Sequence, residues 1–264
     1  HGPPIGLSDA MSQERRTTPH MDRLKGAAGL VQGSDEWHAL RLMTIGSSEA
    51  AAVFPGISKT TTTGELFYKL IGKPREKEFD DYTKGLLERG KEMEPVFRAY
   101  CSDLLGRSVF EAPIFQVDVP GLPVRLSASP DGLITDDDGK VVLLEIKWRK
   151  DSADWKGDLG DTVFCQVQHQ MLVIGCLTAY VFCGTDSQKS LWIVQYAPDY
   201  MWMWYEYAKK LCDEAAGAVA TGIEKKLRTE NGLPAQIESS LHQYKREYVR
   251  RIDLSREQAQ VKPQ

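Results

Sequence analysis

The chain has 264 residues, of which 42% are hydrophobic and 27% charged, and its formal net charge at pH 7 is −4. This length is enough for one sizeable core, and the composition is typical of a soluble globular protein. The acidic balance argues against a protein that coats nucleic acid by bulk attraction, although a local basic lining can still hold phosphates.

The first thirty residues are polar, and their opening His1-Gly-Pro-Pro-Ile5 does not resemble a natural start. We therefore interpret residues 1–30 as a tag-derived and flexible N-terminal segment. The five cysteines contain no Cys-x-x-Cys pair, which predicts buried reduced thiols and a cytoplasmic location. No apolar run is long enough for a bilayer, so no membrane partner is expected.

Helical signals dominate the first half of the chain. The sequence predicts a short helix over 37–42, another from Ser47 or Ser48 to Val53, and a third over 62–70 that opens with a capping box. The longest helix is predicted over 80–105, because its apolar residues recur at helical spacing and Gly106 can cap its end.

After the long helix the pattern changes to short strands and further helices. Strands are predicted over 112–118, 124–128, 131–135, 141–148, 179–184 and 191–197, and helices over 161–175 and from Pro198 to about Gly222. These elements predict an α/β (α+β) fold with a mixed central β-sheet flanked by helices. One domain is expected over 31–225, followed by a charged C-terminal extension over 226–264.

A β-hairpin is the most informative part of the sequence. Turn-forming residues 136–139 separate two apolar runs, and a three-residue loop over 137–139 would put Asp131 opposite Glu145. Along the second strand, Glu145 and Lys147 project from the same face as Leu143. Another turn would shift this register, so the pairing is a hypothesis.

Two carboxylates that meet across a hairpin repel each other, and a divalent cation removes that repulsion. We therefore predict Mg²⁺, with Mn²⁺ as a substitute, held by Asp131, Glu145 and the carbonyl of Ile146. Lys147 could orient water or offset charge on a phosphoryl group, and it could act as a base only if its pKa were lowered. The alternative is a surface hairpin with solvated side chains, because neither Pro-Asp-Gly nor Glu-x-Lys is specific alone.

Together, Pro130-Asp131 and Glu145-Ile-Lys147 resemble the PD-(D/E)xK nuclease signature, which has a restriction-endonuclease-like core. More specifically, residues 35–210 resemble the lambda-type phage exonucleases, the alkaline exonucleases of the viral recombinase family. The motifs that carry this resemblance are Trp37-His-Ala-Leu-Arg41, Ser48-Glu49, Gly90-Lys-Glu-Met-Glu94, Ser129-Pro-Asp-Gly132, Glu145-Ile-Lys147 and Gln166-Val-Gln168.

This resemblance implies a processive, Mg²⁺-dependent 5′→3′ exonuclease that digests one strand of linear double-stranded DNA. Such enzymes prefer 5′-phosphorylated ends and leave a 3′ single-stranded overhang for recombination by strand annealing. The resemblance also implies a homotrimer, a single-strand annealing protein as partner, and the cytoplasm of a bacterial or phage-infected host.

Further site residues follow from the resemblance. Glu94 matches a carboxylate near the metal, and Asp118 matches an additional catalytic acid. Arg41 precedes the helix start at Ser48, where free amide groups suit a terminal phosphate. The residues that the resemblance assigns to DNA or 5′-phosphate binding are Arg41, Ser48, Ser129, Gln166, Gln168 and Leu87, the last as a wedge between strands.

Two other functions are compatible with the same residues. One is a restriction-type or structure-specific endonuclease of the same superfamily, which would cut covalently closed DNA. The other is a non-catalytic module that binds DNA ends or a protein, which would leave DNA intact with Mg²⁺ and with Mn²⁺.

Overall fold

A computed structural model describes residues 25–27, 30, 33–58, 60–151, 157–222, 235–252 and 254. The helices are α1 (Asp35–Leu42), a 3₁₀ helix (Ser47–Val53), α2 (Thr63–Leu70), α3 (Asp81–Leu105), α4 (Asp161–Ile174), α5 (Pro198–Thr221) and α6 (Ala235–Tyr248). The strands are β1 (Lys25–Ala27), β2 (Thr44–Gly46), β3 (Ile114–Val117), β4 (Arg125–Ala128), β5 (Gly132–Thr135), β6 (Val141–Trp148), β7 (Thr178–Gly184), β8 (Lys189–Gln195) and β9 (Val249–Ile252). Most of the expected N-terminal segment lies outside the described residues.

Local capping explains where several helices begin. Ser34 Oγ accepts a hydrogen bond from Trp37 N, Thr62 and Glu65 form the predicted capping box, and Asp80 caps α3. α3 ends at Gly106, whose φ of 61° is the left-handed conformation that glycine adopts without strain. The short helix predicted after Gly46 forms as a 3₁₀ helix instead of an α-helix.

The α/β class is confirmed, but the strands form two sheets instead of one. The first has the order β1-β3-β4-β2, and the second has the order β5-β6-β7-β8-β9. β4 ends at Ala128 and β5 begins at Gly132, with Pro130 between them. Proline has no N–H to donate to a ladder, so the chain leaves one sheet here and starts the other.

α4 occupies the centre of the molecule. It connects the parallel strands β6 and β7 and contacts the 3₁₀ helix, β3 and β4 as well as β6 and β7. Eleven of its residues are buried. A helix that is enclosed on all sides can therefore present polar residues to the interior only where they find hydrogen-bond partners.

α3 covers the opposite face of the five-stranded sheet. A smaller hydrophobic cluster forms there from Phe97 and Cys101 of α3 with inward residues of β5 to β8. Gly184 at the end of β7 permits this approach, because a Cβ there would lie 2.6 Å from Phe97 Cζ.

The segment expected as a C-terminal extension contributes to the main fold. β9 pairs antiparallel with β8, and Ile237 and Leu241 of α6 are buried in the larger hydrophobic cluster around α4. The expected boundary at 225 lies in a stretch outside the described residues. None of the described helices is long and apolar enough to cross a membrane.

Candidate active site

The β5–β6 hairpin has the predicted register. Gly132 pairs with Leu144 and Thr135 with Val141, while Asp136 N donates to Lys140 O at 2.9 Å. The loop is therefore residues 137–139, and its Gly139 has a φ of 76°. Continuing this register by one residue places Asp131 opposite Glu145.

The two faces of β6 separate as expected. Val142, Leu144 and Ile146 belong to the smaller cluster under α3, whereas Leu143 belongs to the larger cluster. Glu145 lies on the same face as Leu143 and is only 2% exposed. A buried carboxylate needs hydrogen bonds or a cation, so its partners determine what this position can do.

Asp131 accepts hydrogen bonds at both its side chain and its backbone carbonyl. Its Oδ2 accepts a hydrogen bond from Ile146 N at 2.7 Å, and its carbonyl oxygen accepts one from Arg98 Nε at 2.9 Å. Burial, followed by the charge of Glu145, raises the pKa of Asp131 well above its ordinary value. The two carboxylates therefore repel each other in the arrangement that the hairpin imposes.

Glu145 is oriented by side chains of α4 and by the lysine two residues further along its strand. Gln166 Nε2 donates to Oε1 at 2.7 Å, and Gln170 Nε2 donates to Oε2 at 2.9 Å. Lys147 Nζ also donates to Oε1. Because Gln166 and Gln170 are four residues apart, both reach Glu145 from one face of α4.

Lys147 is cationic in this environment. Burial by itself would lower its pKa, but the charges of Glu145 and Asp131 outweigh burial and raise the pKa above the ordinary value. Glu145 and Asp131 are also the predicted metal ligands, and a bound cation would offset the charges that raise this pKa. In its ammonium form Lys147 can orient water or offset negative charge.

Glu94 of α3 lines a pocket together with Asp131, Glu145 and Lys147. It forms an ion pair with Arg98, whose guanidinium also donates to the Asp131 carbonyl. Burial and then the charges of Glu145 and Glu111 raise the pKa of Glu94, despite the opposing charge of Arg98. Arg98 therefore couples α3 to the hairpin.

The donor set suits a hard divalent cation. Asp131 and Glu145 offer carboxylate oxygens. Burial and then the charge of Glu145 raise the pKa of Asp131, and a cation would relieve the repulsion between the two carboxylates. Across the described residues, no three His, Cys, Asp or Glu side chains form a metal-binding group. Mg²⁺ needs few protein ligands because it keeps several waters, so these two carboxylates with the Ile146 carbonyl fit it.

A polar cluster lies at the other end of the pocket. Arg41 Nη2 donates to Ser48 Oγ at 2.8 Å, and the Arg41 guanidinium lies 4.5 Å from the centre of the Trp37 ring. Trp37 Nε1 lies 3.5 Å from Ser129 Oγ. Arg41, Ser48 and Ser129 are thus brought together, with Trp37 between Arg41 and Ser129.

An ion pair stabilises the chain next to this cluster. Glu49 Oε2 accepts from Gly46 N at 2.9 Å, and Lys69 Nζ of α2 lies 2.6 Å from the same oxygen. Burial lowers the pKa of Lys69, while Glu49 opposes that change. This pair fixes the start of the 3₁₀ helix that presents Ser48.

The Asp131–Glu145–Lys147 group and the Arg41–Ser48–Ser129 cluster border one pocket of about 350 Å³. Its wall includes residues from both sheets and from α1, α3 and α4, with Leu87 of α3 at its edge and 49% exposed. The predicted site residues that line it are Arg41, Ser48, Leu87, Glu94, Ser129, Asp131, Glu145, Ile146, Lys147 and Gln166.

Two predicted residues are not in the pocket. Asp118 lies just beyond β3 and accepts a hydrogen bond from Arg125 Nε at 2.8 Å. β3 is antiparallel to β4, so Asp118 lies at the end of β4 that is remote from Ser129 and Asp131. This position contradicts the predicted direct catalytic role of Asp118.

Gln168, which was predicted to contact DNA, also lies outside the pocket. Its side chain is fully buried, with Nε2 donating to Gln195 O at 2.8 Å and Oε1 accepting from Ala197 N at 2.9 Å. These bonds attach α4 to the end of β8. Both halves of the Gln168 amide are satisfied by backbone, so this residue has a structural role.

The spacing of Gln166 and Gln170 is a signal for Gln170 in the sequence itself, because residues four apart share a helix face. Sequence reasoning gave Arg98 no role in the site. Arg98 had no comparable pattern, since its bond to the Asp131 carbonyl joins positions 33 residues apart.

The fold and the site define a class of protein. A hairpin that carries Asp131, Glu145 and Lys147 on a mixed sheet flanked by helices is the PD-(D/E)xK arrangement of restriction-endonuclease-like folds. A family described as the YqaJ-like viral recombinase domain matches residues 36–178, more than half of the chain. The chain belongs to this family, which confirms the expected relation to lambda-type exonucleases and makes it a nuclease that acts on DNA.

Solved structures show the same fold. The alkaline exonuclease LHK-Exo from Laribacter hongkongensis superposes with a TM-score of 0.56 and 23% identity, over 71% of this chain and 95% of that chain. A complex of LHK-Exo with dAMP also has a TM-score of 0.56, with 22% identity over the same shares. No curated protein sequence matches this chain significantly.

Proposed function

We propose that this protein is a Mg²⁺-dependent 5′→3′ exonuclease that digests one strand of linear double-stranded DNA. The product would be a 3′ single-stranded overhang, the substrate for recombination by strand annealing. The observation that carries this proposal is one pocket that holds both the Asp131–Glu145–Lys147 group and the Arg41–Ser48–Ser129 cluster. Family membership supports the same activity.

Asp131, Glu145 and the Ile146 carbonyl would hold the metal ion, which supplies a Lewis acid and lowers the pKa of a bound water when present. Gln166 and Gln170 keep both oxygens of Glu145 in fixed positions, so the carboxylate does not need to reorganise during the reaction. Lys147 offers a cation beside the scissile phosphate, where it can offset the negative charge that develops there.

The polarity of digestion would follow from the second cluster. A guanidinium with two hydroxyl groups and an aromatic edge suits a terminal phosphate, because Arg binds phosphate oxygens through paired N–H groups. A 5′-phosphate held at Arg41 would place a nearby phosphodiester at Glu145 in the same pocket. Leu87 at the pocket edge is suited to separate the end base pair.

The proposal also covers the oligomeric state, the protein partner and the cellular location. By family membership we expect a homotrimer that works beside a single-strand annealing protein in the cytoplasm of a bacterial or phage-infected host.

The first experiment follows a linear duplex labelled at its 5′ ends in one sample and at its 3′ ends in another. With Mg²⁺, or Mn²⁺ as a substitute, we expect early release of the 5′ label while the 3′ label stays on the remaining strand, and EDTA should abolish the release. Glu145→Gln and Lys147→Ala should each reduce the rate at least about 100-fold, because each removes preorganised charge at the reacting phosphate. Glu238→Gln on the exposed face of α6 is the matched control and should retain the wild-type rate.

Several outcomes of this experiment would contradict the proposal. Digestion that survives Glu145→Gln would show that the hairpin is not the active centre. Rapid cutting of a covalently closed circle would favour the endonuclease alternative, and intact DNA with both metals would favour a binding module.

The second experiment tests the phosphate cluster. Arg41→Ala should slow digestion of 5′-phosphorylated ends by about 10- to 100-fold, because a hydrogen bond to a charged group is lost. Ends with a 5′-hydroxyl should be affected much less. The measurement compares initial rates on the two substrates, and equal losses on both would remove Arg41 from terminal-phosphate binding.

A further inference from the structure

A second cavity of about 500 Å³ adjoins the pocket just described. The N-terminal half of α3 forms one wall of this cavity, and the end of β6 with the β7–β8 turn forms the other. Trp148 borders both cavities, so they are neighbours on one continuous surface. Nothing in the chemistry described above uses this second cavity.

Two glycines in the N-terminal half of α3 border these cavities. Gly85 borders the second cavity and Gly90 borders the catalytic pocket, and a Cβ at either position would meet nothing within 4 Å. Glycine inside a helix lowers stability relative to alanine, so neither helix formation nor internal packing explains these residues. The open space at both glycines lets a ligand approach the backbone of α3.

The side chains around Gly85 suit single-stranded nucleic acid. Tyr82 is 61% exposed, and Lys150 Nζ lies 5.2 Å from the centre of its ring and donates to its hydroxyl at 3.4 Å. Proteins that bind single strands without sequence preference combine aromatic rings, on which bases stack, with cationic side chains that contact the phosphates.

The opposite wall of the cavity is held in place. Asp186 accepts hydrogen bonds from Trp148 Nε1 at 3.1 Å and from Arg89 Nη2 at 3.3 Å. Arg89 offsets the charge of Asp186, and the indole of Trp148 is fixed between the two cavities. The lining of the second cavity therefore carries little net positive charge. Its shape and its aromatic side chains would contribute more to binding than its charge.

We propose that this second cavity binds a stretch of single-stranded DNA next to the site of hydrolysis. A base stacks on Tyr82, a phosphate lies near Lys150, and the strand passes Gly85 toward Trp148, which borders both cavities. This inference rests on the proposed function, because it takes the strand in this cavity to be continuous with DNA at the catalytic pocket.

The test measures binding of a fluorescently labelled twenty-residue oligothymidylate in EDTA by fluorescence anisotropy, with the melting temperature of each variant measured in parallel. Tyr82→Ala should weaken binding about 5-fold or more, since one stacking contact is lost, and Tyr82→Phe should retain it. Gly85→Ala should also weaken binding although it raises the melting temperature, because alanine favours the helix.

Gly217→Ala is the matched control in α5. Gly217 is an exposed mid-helix glycine with nothing within 4 Å of an added Cβ, so this variant should raise the melting temperature and leave binding unchanged. Wild-type affinity in both Tyr82→Ala and Gly85→Ala would overturn the inference.

Digestion of the linear duplex separates this inference from the proposed function. If the wild-type protein digests DNA and both variants bind single strands normally, the second site is wrong and the exonuclease proposal stands. If the wild-type protein digests nothing but Tyr82→Ala weakens binding, the second site stands and the exonuclease proposal fails.

Discussion

His169 is a buried titratable residue that reaches away from the carboxylates. It lies on α4 beside Gln170, yet its Nε2 lies 3.1 Å from Ser127 O in β4. Its ring also packs edge-on against Trp204, with the ring centres 5.3 Å apart. α4 thus holds Glu145 through its glutamines and the end of β4 through its histidine, on two different sides.

The ionisation of His169 should make stability depend on pH. Burial lowers its pKa from 6.5 to about 4, so the folded protein binds fewer protons than the unfolded chain between these values. The stability that this residue contributes is therefore complete above pH 6.5 and is lost as the pH falls toward 4. We expect a loss of about 2 kcal/mol in unfolding free energy between pH 7.5 and pH 5 from this group.

Urea unfolding at both pH values measures this effect. His169→Gln keeps a donor for Ser127 O but cannot titrate, so the fall between pH 7.5 and pH 5 should be smaller in this variant. His242→Gln, at an exposed position of α6, is the control and should keep the wild-type fall. An unchanged pH dependence in His169→Gln would show that His169 does not destabilise the acidified protein.

At the scale of elements, local patterns predicted most of the structure. Alternation along β6 and the turn residues 136–139 were sufficient for the Asp131–Glu145 register, because a hairpin loop determines which residues face each other. Helical spacing also separates Gln166 from Gln168, which lie about 200° apart around α4 and therefore cannot share a ligand. The sheet boundary at Pro130 was missed, because strand periodicity does not specify which strands pair.

Gly139 should contribute to the stability of the β5–β6 hairpin. Its φ of 76° strains any residue with a Cβ, so Gly139→Ala should lower the unfolding free energy by about 1 kcal/mol. Gly139→Asn is the matched control and should cost less, because asparagine tolerates the left-handed conformation. Urea unfolding compares the two variants, and equal stability of Gly139→Ala and wild type would mean that the loop adopts another turn in solution.

At the scale of the whole molecule, the pocket depends on both sheets. The four-stranded sheet supplies Ser127 and Ala128, and the five-stranded sheet supplies Glu145, Ile146 and Lys147. Trp204 Nε1 of α5 donates to Ala50 O at 2.8 Å, a contact between positions 154 residues apart. The sequence could not predict such contacts, since each joins distant segments without a repeating pattern.

The C-terminal helix should unfold together with the nuclease core. Leu241 of α6 is 0% exposed within the cluster that contains α4, so Leu241→Ala should lower the unfolding free energy by about 2 to 5 kcal/mol through a buried cavity. Urea unfolding followed by the fluorescence of the buried Trp192 and Trp204 measures this loss, and the curve should shift as one transition. Glu238→Ala, at an exposed position of the same helix, should change stability by less than about 0.5 kcal/mol. If residues 226–264 were an independent extension, Leu241→Ala would leave the tryptophan-detected transition where it is in the wild-type protein.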